Sequence, residues 1–184
     1  MEKAQLRRSL LKQRQSMLPE EWRKKSDRIS TNLLSSPLFT EAKTILAYFS
    51  FRQEPDLSIL FTDRHQWGFP RCVDKSLSWH IWKPGEPLQK GAYDIFEPHP
   101  ELPILNADEV DLILVPSVAC DVRGYRLGYG GGYYDRLLSS PEWASKPTIG
   151  IIFEFACLQE LPVDPWDKPL KAICTERQLI LSEN

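Results

Sequence analysis

No stretch of this sequence approaches the roughly 20 consecutive apolar residues that a membrane-spanning helix needs. The basic residues near the N-terminus are followed by no apolar core of the kind a secretory signal carries, so the expectation is a cytoplasmic protein with no membrane partner. Histidine is scarce, with three in 184 residues, and no cluster of them suits a metal. The four cysteines, Cys72, Cys120, Cys157 and Cys174, lie too far apart for paired zinc-ligand spacing and read as reduced, mostly buried thiols. Low-complexity tracts are missing. A content of 42% hydrophobic and 26% charged residues is that of a globular domain, which excludes a disordered chain. The net charge of -2 argues against nonspecific nucleic-acid binding as the main role.

That small net charge hides an asymmetry. Residues 1–28 hold nine Lys and Arg against four acids, a local charge of +5, which leaves -7 for the rest. A basic face on an acidic body fits an anionic ligand, although a solvated helix surface accounts for most of these charges as well.

Residues 3–15 read as a helix, with Leu6, Leu10 and Leu11 on its inner side. Pro19 followed by Glu20 and Glu21 starts a second helix, which Ser35-Ser36-Pro37 stops. Apolar runs at Thr44–Phe49, Phe69–Val73, Asp111–Pro116, Thr148–Phe153 and Ala172–Thr175 fit strands, with Asp111–Pro116 the clearest central one. Ser78–Trp82 alternates as a strand with one exposed face, a short helix is expected over Ile59–Gln66, and residues 83–109 read as a long irregular connection that packs over a site. Tyr48 and the tryptophans read as core. The pattern predicts one three-layer α/β domain, residues 1–184, with a largely parallel Rossmann-like sheet.

Of nine glycines, five fall between Gly124 and Gly132, after the strongest strand and before a helix expected from Tyr133. In open α/β sheets ligands bind outside the strand carboxyl ends, and glycines let amides turn toward an anion. Neither common nucleotide fingerprint is present, because Tyr133-Tyr134 stands where one needs Lys-Ser/Thr and Tyr133 where the other needs glycine. A flexible turn explains glycine content alone. Arg126 and Asp135 favour a phosphate site: a guanidinium forks onto phosphate oxygens, and a carboxylate beside phosphate calls for an intervening cation such as Mg2+.

Arg126-Leu127-Gly128-Tyr129-Gly130-Gly131-Gly132-Tyr133-Tyr134-Asp135 resembles the signature of the 5-formyltetrahydrofolate cyclo-ligase family. Lys3-Ala4-Gln5-Leu6-Arg7, Phe49–Glu54, Phe69-Pro70-Arg71, Ile95–Pro98 and Pro162–Thr175 extend the likeness over nearly the whole chain, in order. The resemblance implies a fold in the group of NagB, RpiA and CoA transferases. It also implies an enzyme, expected to act as a monomer on small molecules, that uses ATP with Mg2+ to close 5-formyltetrahydrofolate into 5,10-methenyltetrahydrofolate. By the same resemblance Lys3 and Arg7, one face of the first helix, contact ATP together with Arg126, Leu127, Gly128, Tyr129, Gly130, Gly131, Gly132, Tyr133 and Tyr134. Phe49, Glu54 and the Tyr129–Tyr133 stretch contact the folate, Tyr93 stacks on it, and Arg126 and Tyr133 are the catalytic candidates. Asp135 is the metal ligand. Many members carry an aspartate where this chain has Lys171, and Asp167 is the nearest substitute. That departure motivates one alternative, a binder of formylfolate or nucleotide without catalysis.

Overall fold

The computed structural model describes residues 2–183. Seven strands form the main sheet, in the order β12-β11-β9-β6-β1-β2-β3: β1 Thr44–Leu46, β2 Gln66–Val73, β3 Ser76–Ile81, β6 Leu112–Pro116, β9 Thr148–Ile151, β11 Ala172–Cys174 and β12 Leu179–Leu181. The five inner strands from β11 to β2 run parallel, and β12 and β3 close the two edges antiparallel. β6 is the fourth of seven, as its apolar run predicts, and Leu112 to Val115 are fully buried. Its side chains alternate between two cores. Leu112 and Leu114 join Ile29 and Leu33 of α2 (Pro19–Leu34) and Phe39 of the short α3 (Pro37–Thr40) on one face. Ile113 and Val115 join Leu10 of α1 (Lys3–Gln15) and Leu137 and Leu138 of α4 (Tyr133–Ser139) on the other. Two buried faces on one sheet give the three layers that the run of strands and helices predicts.

The sequence reading needs correction in four places. The helix expected over Ile59–Gln66 is a single 3-10 turn, Ser58–Leu60, and Gln66 already belongs to β2. Leu57, Leu60 and Phe61 bury themselves from this turn, and Asp56 accepts the Ser58 N–H, so nothing is left to propagate a helix. The run Thr44–Phe49 pairs only to Leu46, and its remainder leaves the sheet to build the site. The 83–109 connection is partly ordered: β4 (Leu88–Lys90) and β5 (Phe96–Pro98) form a hairpin, and residues 103–105 bond along the free edge of β3. Finally, Trp166 is not core. It is 63% exposed, whereas Trp67, Trp79, Trp82 and Trp143 are buried.

A second small sheet joins β10 (Cys157–Leu158), β7 (Ala119–Asp121) and β8 (Arg126–Leu127). Asp121, fully buried, accepts from the backbone of Arg123, Tyr125 and Leu161 and pairs with the Arg123 guanidinium. It thereby fixes the turn that delivers Arg126. All four cysteines are free, and no helix among the described residues is long and apolar enough to cross a membrane.

Candidate active site

A cavity of about 660 Å³ opens beyond the carboxyl ends of β1 and β6, where Tyr48–Glu54 and Pro116 reach it. That is the position at which parallel sheets hold ligands, because loops diverge there and leave space. Its volume suits small molecules. One wall is the glycine-rich loop, the second is α1, the third is the turn before Glu54, and the 83–109 connection forms the rim through Tyr93 and Phe96.

Two arginines hold the loop by its carbonyls. Arg7 Nε donates to the Gly128 carbonyl at 2.6 Å, and Arg136 Nη2 donates to the Gly131 carbonyl at 2.9 Å. No backbone hydrogen bond among the described residues is donated by the amides of Tyr129, Gly130 or Gly131. Gly130 sits at φ 102°, where a side chain is strained, and a Cβ on Gly128 would stand 2.7 Å from Arg126 Nη2. The backbone amides are therefore free to meet an anion, and the left-handed course at Gly130 favours glycine.

Arg126 is packed rather than waving. Its Nε donates to Ser117 Oγ at 3.2 Å, its Nη2 to the Pro116 carbonyl at 3.1 Å, and its guanidinium lies 5.1 Å from the centre of the Tyr134 ring. Nη1 stands 3.7 Å from Asp135 Oδ1, beyond hydrogen-bond reach. Two of its five N–H groups are used, and both of those on Nη1 are among the three that remain for a ligand.

On the opposite side Glu54 is buried, 4% exposed. Burial raises its carboxyl to about 7, opposed by the Arg14 cation, by the Phe51 N–H bonded to Oε1 at 3.0 Å and by the Tyr129 hydroxyl. The turn that presents it carries two successive left-handed residues, Arg52 at φ 50° and Gln53 at φ 57°. Phe49 lines the cavity from a stack on Phe69, ring centres 4.1 Å apart.

Every site residue expected from sequence lines this one cavity: Lys3, Arg7, Phe49, Glu54, Tyr93, the Arg126–Asp135 stretch and Asp167. Their engagement differs. Lys3 already bonds Asp164 at 2.6 Å and Asp167 at 2.7 Å. The Tyr133 hydroxyl donates to the Asp74 carbonyl, with the Arg136 guanidinium 5.0 Å from its ring centre. Tyr93 is 67% exposed at the rim with φ 61°. Reasoning from sequence missed Asp164 and Trp166, which line the cavity, and Arg14, which is buried behind it. Only Arg14 left a signal, since it follows Arg7 by seven residues, two turns along the same helix face.

A family model described as the 5-formyltetrahydrofolate cyclo-ligase family matches residues 1–176. The chain belongs to that family. Among relatives of this member, the 5-formyltetrahydrofolate cyclo-ligase of Escherichia coli K12 is 28% identical over 173 residues, covering 88% of this chain and 93% of the relative. The protein of the same name from Mycolicibacterium smegmatis is 31% identical, covering 98% and 96%. The NMR structure of Aquifex aeolicus 5,10-methenyltetrahydrofolate synthetase superposes with a TM-score of 0.87 at 34% identity, over 100% of this chain and 94% of that one.

The donor set of this family member fits a hard divalent cation. Asp135 lines the cavity with a side chain 34% exposed, and its closest cationic partner is the Arg126 Nη1 already placed at 3.7 Å. No group of three or more His, Cys, Asp or Glu side chains gathers among the described residues, which is unlike a zinc centre. Magnesium uses one or two carboxylates and takes its other ligands from water and phosphate. Asp167 is the poorer donor, because its Oδ2 holds both Lys3 and the Asp164 amide. Lys171 does not enter the site: it is exposed, and its ammonium donates to the Ser145 carbonyl.

Proposed function

We propose that this chain converts 5-formyltetrahydrofolate and ATP into 5,10-methenyltetrahydrofolate, ADP and phosphate. The observation that carries the reading is the facing of two chemistries across one cavity, in a chain of this family. Arg7, Arg126 and free loop amides suit a triphosphate, and a buried carboxylate with aromatic neighbours suits a flat ring that offers N–H donors.

Arg7 and the loop amides take the phosphates, with Lys3 available when a phosphate replaces its two carboxylates. Glu54 accepts from the pterin edge, and Phe49, Tyr133 and Tyr93 pack against the ring. The formyl oxygen attacks the γ-phosphorus as the bond to ADP breaks. N10 then attacks the formyl carbon, phosphate leaves with the former formyl oxygen, and the N10 proton is lost. Phosphate is a far better leaving group than a hydroxide equivalent, which is why ATP is spent. The chain supplies positioning and charge, as phosphoryl transfer requires: Arg126 Nη1 meets the charge that develops on the transferred group. A magnesium ion held by Asp135, with Asp167 the weaker second candidate, would supply further neutralisation of phosphate charge.

Purified protein given ATP, Mg2+ and 5-formyltetrahydrofolate is expected to develop the absorbance of the methenyl product, and only with ATP. Folded protein that forms no product refutes the reading. Asp135→Asn is expected to raise the Mg2+ concentration for half-maximal rate about tenfold, because one anionic oxygen donor becomes neutral. An unchanged metal titration removes Asp135 from that role.

A further inference from the structure

Leu10 and Arg14 are the buried residues of α1, and a buried arginine needs a reason. Arg14 Nε donates to the Arg52 carbonyl at 3.0 Å, and Nη2 donates to the Tyr129 hydroxyl, whose ring centre lies 5.6 Å from the guanidinium. The two acceptors stand on different walls of the cavity, Arg52 in the turn before Glu54 and Tyr129 in the glycine-rich loop. Both acceptors are neutral. A buried guanidinium bonded only to neutral oxygens is costly unless a counter-charge is near, and the buried acid that faces it is Glu54.

The backbone points the same way. Two successive left-handed residues that are not glycine persist only where the surroundings hold them, and the Arg14 bond to the Arg52 carbonyl is such a hold. Because the phenol oxygen accepts from Arg14, its own O–H is left to serve Glu54. The charged and titratable groups facing Glu54 are Arg14 from α1, Arg126 from β8, Tyr129 from the loop, Tyr134 from α4 and Tyr48 from its own segment. Among them Arg14 opposes the effect of burial most strongly.

We infer that Arg14 is a positioning residue for the folate subsite: through the Arg52 carbonyl and the Tyr129 hydroxyl it aims the Glu54 carboxylate, and it sets its own charge on that side of it. The inference rests on the cyclo-ligase reading of the cavity. It also ties the two subsites together, because the helix that carries Arg7 to the phosphate loop carries Arg14 to the folate turn.

The test is calorimetric binding of 5-formyltetrahydrofolate alone, without ATP, from pH 6 to 9. Wild-type affinity is expected to strengthen as pH rises through about 7, where Glu54 loses its proton. In Arg14→Met the midpoint is expected about one unit higher, as loss of a nearby cation allows. Affinity at pH 7 then falls roughly fivefold and recovers toward pH 9. Arg14→Lys keeps the charge without the fork, so its midpoint stays near that of wild type. A deficit in Arg14→Met that is equal at every pH, or none, overturns the inference. Should that variant fail to fold, Tyr129→Phe is expected to move the midpoint the same way by less, and an unmoved midpoint overturns the inference instead. Absence of binding by the wild type at every pH would remove the cyclo-ligase reading itself, which separates the two failures.

Discussion

Arg126→Ala is expected to lower kcat by about 10²–10³, the usual loss when one preorganised charge is removed from a transition state. The size follows from how the side chain is held. Ser117, the Pro116 carbonyl and the Tyr134 ring fix the guanidinium plane, so Nη1 pays no ordering cost when charge develops before it. The ATP KM is expected to change less than kcat, because Arg7 and the loop amides bind phosphate without Arg126. Arg126→Lys keeps the charge but cannot keep this planar set of contacts, and its rate is expected to stay well below that of wild type. Steady-state kinetics on the methenyl absorbance decide the matter. Near-normal kcat in the alanine variant excludes Arg126 from the chemical step.

Glu54→Gln is expected to act on binding and on stability in opposite directions. A carboxylate accepting from the pterin edge becomes a neutral amide, and loss of one charge-assisted bond is worth roughly tenfold or more in folate affinity. ATP affinity is expected to be nearly unaffected, which calorimetry with each ligand separately would show.

The stability effect comes from burial, which raises the carboxyl from 4.5 to about 7. Between those pH values the native state holds a proton that the unfolded chain has released. The contribution is therefore full below about pH 4.5 and lost as pH rises through about 7, a change of roughly 3 kcal/mol. Glutamine does not titrate. Relative to wild type, the variant is expected to gain that much between pH 4.5 and pH 8, about 6–12 °C in Tm at 2–4 °C per kcal/mol for a chain of this size. A Tm difference that does not vary with pH would mean that Glu54 is ionised throughout and that its buried setting has been misjudged.

Much of this architecture was legible because the deciding patterns are local. β6 announces itself as central through five apolar residues that no polar face interrupts, and the sheet places it fourth of seven. The N-terminal helices follow from leucine spacing and from Pro19 with two acids behind it. The expected helix over Ile59–Gln66 failed because its apolar residues satisfy burial in a single turn, which periodicity cannot distinguish from the start of a helix. The hairpin of β4 and β5 escaped notice because proline and acids dominate that segment, while its pairing depends on a partner strand. Trp166 looked like core on residue type alone, although size and apolarity leave open which cavity an aromatic ring lines.

By itself the sequence determined the alternation of strands and helices, the glycine-rich turn between Arg126 and Asp135 and the membership in a family whose motifs run the length of the chain. These are matters of neighbouring residues, whose spacing dictates which side of an element they share. Tertiary structure alone decided that Lys3 is answered by Asp164 and Asp167, 161 and 164 residues away. It alone decided that Arg14 reaches Arg52 and Tyr129 together, and that Glu54 sits deep enough to hold its proton near neutrality. Desolvation and charge pairing depend on distances in space. The chain specifies those distances only once both faces of its sheet are covered.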